Sequence, residues 1–227
     1  MANRLIGTIS YDSNNVPKLS SRPGSTNVAY LDFDGHVASK THWTNLENRF
    51  TALPYNNHTL PFTNETSNYI LMYWCTMAED FMPFDIDITT IEPAIFNSTT
   101  ARVLFTLNLN TDTNGPIHNQ PAGGVAYVNV WGLEDFHTIN SPAFVFHSAE
   151  EIIADNSLWK LPNNLDFLLA YVGGAGSHEL GHNLGLSHHG RGNKTYADAK
   201  NGWSPIMGGA SETSTWSNGQ YDGATNT

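Results

Sequence analysis

Basic residues, cysteines and long apolar runs are all scarce in this chain. Ten Lys plus Arg stand against 21 Asp plus Glu, a formal net charge of −11. Nucleic acids and anionic membrane surfaces are bound through clustered positive charge, so neither is an expected partner. No apolar stretch approaches the roughly 18 residues of a membrane-spanning helix. Cys75 is the single cysteine, which excludes an intrachain disulfide and leaves the redox compartment unread. It lies between Trp74 and Met77 in an apolar helical stretch, so it is expected to be a buried core thiol. Charged residues make up 14% of the chain and hydrophobic ones 40%, the balance of a globular protein and not of a disordered one. A chain of 227 residues suits one sizeable domain, or two subdomains around a cleft, and a monomer is assumed.

What the chain does hold is an unbroken H-E-x-x-H-x-x-G-x-x-H motif over residues 178–188. Helical residues four apart share a face, so His178 and His182 can offer imidazole nitrogens to one metal ion. Glu179 is turned away from that pair and is better placed to hydrogen-bond a water on the metal. Gly185 permits a left-handed backbone, which ends the helix and lets His188 return toward the same ion. Three neutral imidazoles and one water make an open, catalytic Zn²⁺ site. Such a site lowers the pKa of its water toward roughly 7 and polarises a carbonyl. Glu179 would then act as general base, and afterwards deliver the proton to a leaving amine.

Downstream, Trp203-Ser204-Pro205-Ile206-Met207-Gly208 presents a methionine on a short turn. The extended histidine motif followed by such a Met-turn resembles the metzincin clan of zinc endopeptidases. The chain also looks like secreted reprolysin-like metzincins of bacterial type. That likeness rests on residues 30–35 (YLDFDG), 78–90 (AEDFMPFDIDITT), 123–128 (GGVAYV) and, less specifically, 216–223 (WSNGQYDG). The resemblance implies an α+β, metzincin-like (zincin) domain: a twisted mixed five-stranded sheet with two long helices above the cleft, and a small irregular C-terminal subdomain. It implies that Met207 is an apolar floor beneath the histidines and not a ligand. It implies a polypeptide substrate, hydrolysed without a covalent intermediate, and a secreted protein.

The organisation expected from the sequence is a lead-in over 1–27, an upper catalytic subdomain over 28–185 and a lower subdomain over 186–227. The family's final helix is expected to be incomplete. Strands are expected at Val28–Phe33, Asp85–Thr90, Arg102–Leu109 and Ala143–His147. Residues 36–63 read as loop with aromatic anchors. Asn64 is the expected cap of a helix through about residue 82, with Ile70, Tyr73, Trp74, Met77 and Phe81 on its inner face. Gly173, Gly174 and Gly176 suggest that the active-site helix, within 165–184, begins only near Ser177 as N-cap. Gly124–Trp131 reads as one strand with Val125, Tyr127 and Asn129 on a common face. By the metzincin pattern an edge strand near the metal pairs with substrate backbone, and Gly124, Val125, Ala126 and Tyr127 are the candidates.

Two positions depart from the family. His189 stands where the reprolysin-like pattern has Asp, and it cannot supply a permanent negative charge at neutral pH. It is also a weaker alternative to His188 as third ligand. Gly209 stands where some metzincins carry a tyrosine that stabilises the oxyanion, and Tyr221 is a distant substitute. Calcium has little support: Asn110, Asp112, Asn114 and Gly115 imitate the start of a calcium loop, but position twelve is Pro121 and not Glu. The segment therefore reads as a turn. Asp32, Asp34, His118, His137 and His147 are scattered candidates for a second metal and are expected to be structural. The leading function is zinc endopeptidase. A zinc hydrolase of another linkage and a non-catalytic binding module with the same cleft remain alternatives, the latter opposed by the intact Glu179.

Overall fold

The computed structural model describes residues 9–44, 48–120, 122–146, 165–209 and 213–226. Along the chain come β1 (Val28–Asp32), β2 (His36–Ser39), β3 (Arg49–Ala52), helix α1 (Asn64–Asp80), β4 (Asp87–Thr89) and β5 (Thr100–Phe105). They are followed by β6 (Gly124–Val125), the short helix α2 (Phe136–Ile139), β7 (Ala143–Val145) and helix α3 (Leu165–Asn183). Last are β8 (His189–Arg191), β9 (Trp203–Pro205), β10 (Thr213–Thr215) and β11 (Ala224–Asn226). The described residues thus form an α+β fold with three α-helices and a five-stranded mixed sheet, ordered β4-β1-β5-β7-β6. Every neighbouring pair is parallel except β6, which runs antiparallel to β7 at the sheet edge.

Alternation along the strands sorts the core into two layers. Ala29 and Leu31 of β1, Val103 and Phe105 of β5 and Val145 of β7 join the helices in the main core. Leu104 and Phe144 point the other way and meet Phe50 and Ala52 of the β2–β3 hairpin. That hairpin corrects the loop expected over 36–63. His36-Val37-Ala38-Ser39 carries too little apolar alternation to read as a strand, and its partner strand supplies the burial. Asp32 also lies on the hairpin side of β1. It is fully buried and ion-paired to Arg102 of β5, whose other guanidinium nitrogen reaches Glu92 at 2.8 Å. The guanidinium stacks over the rings of Tyr30 and Phe96.

Helix α1 is capped one residue before the expected Asn64. Thr63 is the N-cap, its hydroxyl accepting from the Thr66 N–H at 3.2 Å, and Asn64 is already helical. Ile70, Tyr73, Met77 and Phe81 are buried, as the spacing predicts. Cys75 is exposed, against expectation. It sits about 200° around the helix from both Tyr73 and Met77, so burying those two turns it outward.

Helix α3 overturns the expected start at Ser177, for it runs unbroken through all three glycines. A Cβ on Gly173 would lie 2.8 Å from Thr76 Cβ and 3.1 Å from the Tyr73 carbonyl oxygen. A Cβ on Gly176 would lie 2.6 Å from Met77 Sδ. These glycines let α1 and α3 approach closely; they do not break the helix. Gly174 faces open space. Gly174→Ala should therefore raise stability by up to about 1 kcal/mol through helix propensity. Gly173→Ala should lower it by about 1–3 kcal/mol through overpacking, and urea unfolding of the two variants distinguishes them. Equal effects would refute the packing argument.

Strand β7 ends at Val145, and His147 lies outside the described residues, as do residues 1–8 of the lead-in. Past Gly185 the described residues form two small sheets, β8 with β11 antiparallel and β9 with β10 parallel.

Candidate metal and catalytic site

Helix α3 ends as the motif requires. Gly185 takes φ +96°, and the Leu186 N–H donates to the Gly181 carbonyl at 3.0 Å, closing the last turn. The chain reverses there and returns His188 to the helix. His178, His182 and His188 each offer one nitrogen, and these atoms lie within 4.8 Å of one another. Among the described residues no other group of three His, Cys, Asp or Glu side chains meets this condition.

The hydrogen bonds set the tautomers. His178 Nδ1 lies 2.8 Å from the Ile206 carbonyl, and His182 Nδ1 lies 2.7 Å from the Leu186 carbonyl. A carbonyl can only accept, so each Nδ1 carries the hydrogen and each Nε2 keeps a lone pair for a metal. His182 Nε2 and His188 Nε2 are 3.1 Å apart. Two nitrogens at 2.0–2.1 Å from one tetrahedral zinc would stand about 3.3 Å apart. Burial pushes the His178 imidazole down to about 3, with His182 adding to the effect, and lowers His182 and His188 as well. In all three the shift favours the neutral imidazole, the form that ligates metal. The donor set fits zinc.

Glu179 is 6% exposed, and its Oε2 has no hydrogen-bond partner. Burial pushes its carboxyl up to about 8, which a divalent cation at the three nitrogens would oppose. Strand β6 passes directly over this carboxylate. A Cβ on Gly124 would lie 2.7 Å from both Glu179 Cγ and Oε1. Only glycine fits there.

The rest of the expected substrate strand departs from expectation. β6 covers Gly124 and Val125 alone, and Asn129 takes a left-handed φ of +58°. Beyond it the chain serves the end of α3. The Asn129 N–H donates to the His182 carbonyl at 2.8 Å, and Val130 and Trp131 donate to the Asn183 carbonyl. Asn183 returns a side-chain bond to the Tyr127 carbonyl at 2.9 Å. Orphan carbonyls at the helix end are therefore satisfied by this segment. Ala126 follows the paired residues, while the Tyr127 ring packs on Trp43.

Met207 is 1% exposed and backs the helix, its Sδ only 2.6 Å from where a Gly181 Cβ would stand. Its carbonyl accepts from the His189 N–H at 2.7 Å. The His189 side chain stays outside the triad, and its buried Nδ1 has no partner. Tyr221 does not reach the site, because its hydroxyl donates to the Gly190 carbonyl at 2.6 Å. The phenol that does reach it is Tyr196, whose oxygen lies 3.2 Å from His188 Nε2. Nothing in its spacing from the motif identifies Tyr196. The calcium-like segment is a turn: Asp112 is held by Arg49 through two 3.0 Å bonds and by Thr51, and Asn114 has φ +54°.

A cleft of about 1210 Å³ runs past His178 and Glu179. Ala170 and Gly174 of α3, Gly124 of β6 and Thr213–Trp216 are among the residues that line it. The chain matches no protein-family model, no curated protein and no solved structure.

Proposed function

We propose that the chain is a metzincin-type zinc endopeptidase that hydrolyses peptide bonds of extended polypeptides. The observation that carries this reading is the convergence of three imidazole nitrogens beside a buried carboxylate oxygen with no partner. Zinc bound there supplies an acidified water and a Lewis acid for the substrate carbonyl. Glu179 accepts the proton of the attacking water and returns it to the leaving nitrogen, so the amine departs neutral. Tyr196 can donate its O–H to the oxygen that gains charge, a role the residue at position 209 cannot fill. Strand β6 offers the outer edge of the sheet for antiparallel pairing with substrate backbone, which aligns an extended chain along the cleft. An extended polypeptide suits an open cleft with a strand on its rim better than a compact substrate does.

Metal analysis combined with proteolysis tests the reading. Zinc is expected at about one per chain, and cleavage of an unfolded protein should stop in chelator and return with added zinc. His188→Ala should weaken zinc binding by at least about a hundredfold in a competition titration, against less than about threefold for His189→Ala. Cleavage at full rate in excess chelator would refute the proposal.

A further inference from the structure

The cleft holds two carboxylates that the hydrolytic step does not use. Glu79 and Asp80 end helix α1 and line the cleft beyond His178. Asp80 is clamped from two sides. Its Oδ2 accepts from the Ser177 hydroxyl at 2.6 Å, and its backbone carbonyl accepts from Trp216 Nε1 at 2.6 Å. Ser177 is the residue before a metal-site histidine, so the carboxylate is fixed relative to the reacting centre.

Charge in this cleft is one-sided. Its acidic lining residues are Glu79, Asp80 and Glu179, and no Lys or Arg lines it among the described residues. No described ion pair involves Glu79 or Asp80, although ion pairs occupy Asp32, Asp112, Asp198 and Asp222 elsewhere. At the catalytic end, the buried Glu179 Oε2 also points to a missing polar ligand. A half-buried carboxylate with only a hydroxyl partner is poorly compensated, and an incoming cation would compensate it. Ala170, Gly174, Ala175, Gly208 and Gly209 line the cleft with little side-chain bulk, and its volume of about 1210 Å³ leaves room for a long side chain. Trp216 also lines the cleft and adds apolar surface for the methylene stem.

We propose that this pocket, which lies along residues 122–124 and so meets the C-terminal side of a substrate antiparallel to β6, seats a Lys or Arg side chain immediately after the scissile bond, with Asp80 as its charged partner and Glu79 nearer the surface. The inference rests on the peptidase reading and names its substrate class: polypeptides with accessible basic residues, cut on the amino side of those residues.

The test is a cleavage map. The zinc-loaded full chain is given an unfolded protein of known sequence, and the new N-termini are identified by mass spectrometry. Lys and Arg should dominate the first position of the products. Paired peptides that differ only at that position, Lys against Leu, then give the ratio of kcat/KM values. Asp80→Asn keeps an acceptor for Ser177 but removes the charge, and should reduce the Lys-to-Leu ratio about tenfold to a hundredfold. Glu79→Gln, at an exposed position, should reduce it by less. The wild-type map stands even if Asp80→Asn fails to fold. Cleavage before Leu at a rate equal to or above that before Lys overturns this proposal and leaves the peptidase reading intact. An unchanged ratio in folded Asp80→Asn also overturns it. Absence of any chelator-sensitive cleavage overturns both.

Discussion

Glu179→Gln is expected to bind zinc and fold normally while kcat/KM for peptide hydrolysis falls by about 10²- to 10⁴-fold. The substitution keeps the shape of the side chain beneath Gly124, where the space is too tight for a larger group. Among the described residues it removes the one carboxylate beside the three histidines. The histidines are untouched, since His178 and His182 take their orientation from the Ile206 and Leu186 carbonyls and not from Glu179. Zinc content per chain, near-ultraviolet circular dichroism and peptide hydrolysis, measured on the same preparation, separate loss of chemistry from loss of metal. Hydrolysis at the native rate would eliminate Glu179 as the base.

Arg102→Met should produce the largest loss of stability, about 3–5 kcal/mol. The reason is not the strength of the ion pair. Asp32 is fully buried, and Arg102 is its only described salt-bridge partner. Removing the guanidinium strands a carboxylate between two layers of the core, whereas Glu92, at the open end, returns to water. The double variant Asp32→Leu with Arg102→Met should recover most of the loss, because a well-packed apolar pair is often as stable as a buried ionic one. Urea unfolding of the two singles and the double measures the coupling. A single Arg102→Met variant within about 0.5 kcal/mol of wild type would contradict the description of this pair. Zinc affinity should change little in any of the three, as the pair lies on the sheet face opposite the helices.

The parts of the site that could be read in the sequence are those built by local geometry. The i, i+4 spacing of His178 and His182 needs only a helix, and the return of His188 needs only a left-handed glycine at 185. The inner face of α1 follows from its periodicity in the same way. What escaped was set by contacts far apart in the chain. Gly173 and Gly176 look like helix breakers until α1 is placed against them. Residues 126–131 alternate as a strand should, yet the open carbonyls of α3 take the N–H groups of Asn129, Val130 and Trp131. Cys75 sits in an apolar stretch but on the wrong side of the helix. Tyr196 belongs to no motif, and Asp80 lies in a stretch that carries a likeness without a role; both reach the cleft only because separate elements converge on it. Their residue types hold the chemistry, but their positions are meaningful only in three dimensions.

Gly124 alters how related chains should be sorted. A scan for the histidine motif accepts any chain with the five fixed residues and calls its centre intact. At position 124, far from that window, a methyl group would lie 2.7 Å from the Glu179 carboxylate and equally close to the Phe144 carbonyl. On the proposed reading, a chain with alanine or valine there would display the three histidines and the glutamate, yet hold that glutamate out of place. Pseudoenzymes of this kind are invisible to the motif and are found by reading the residue that crosses above it.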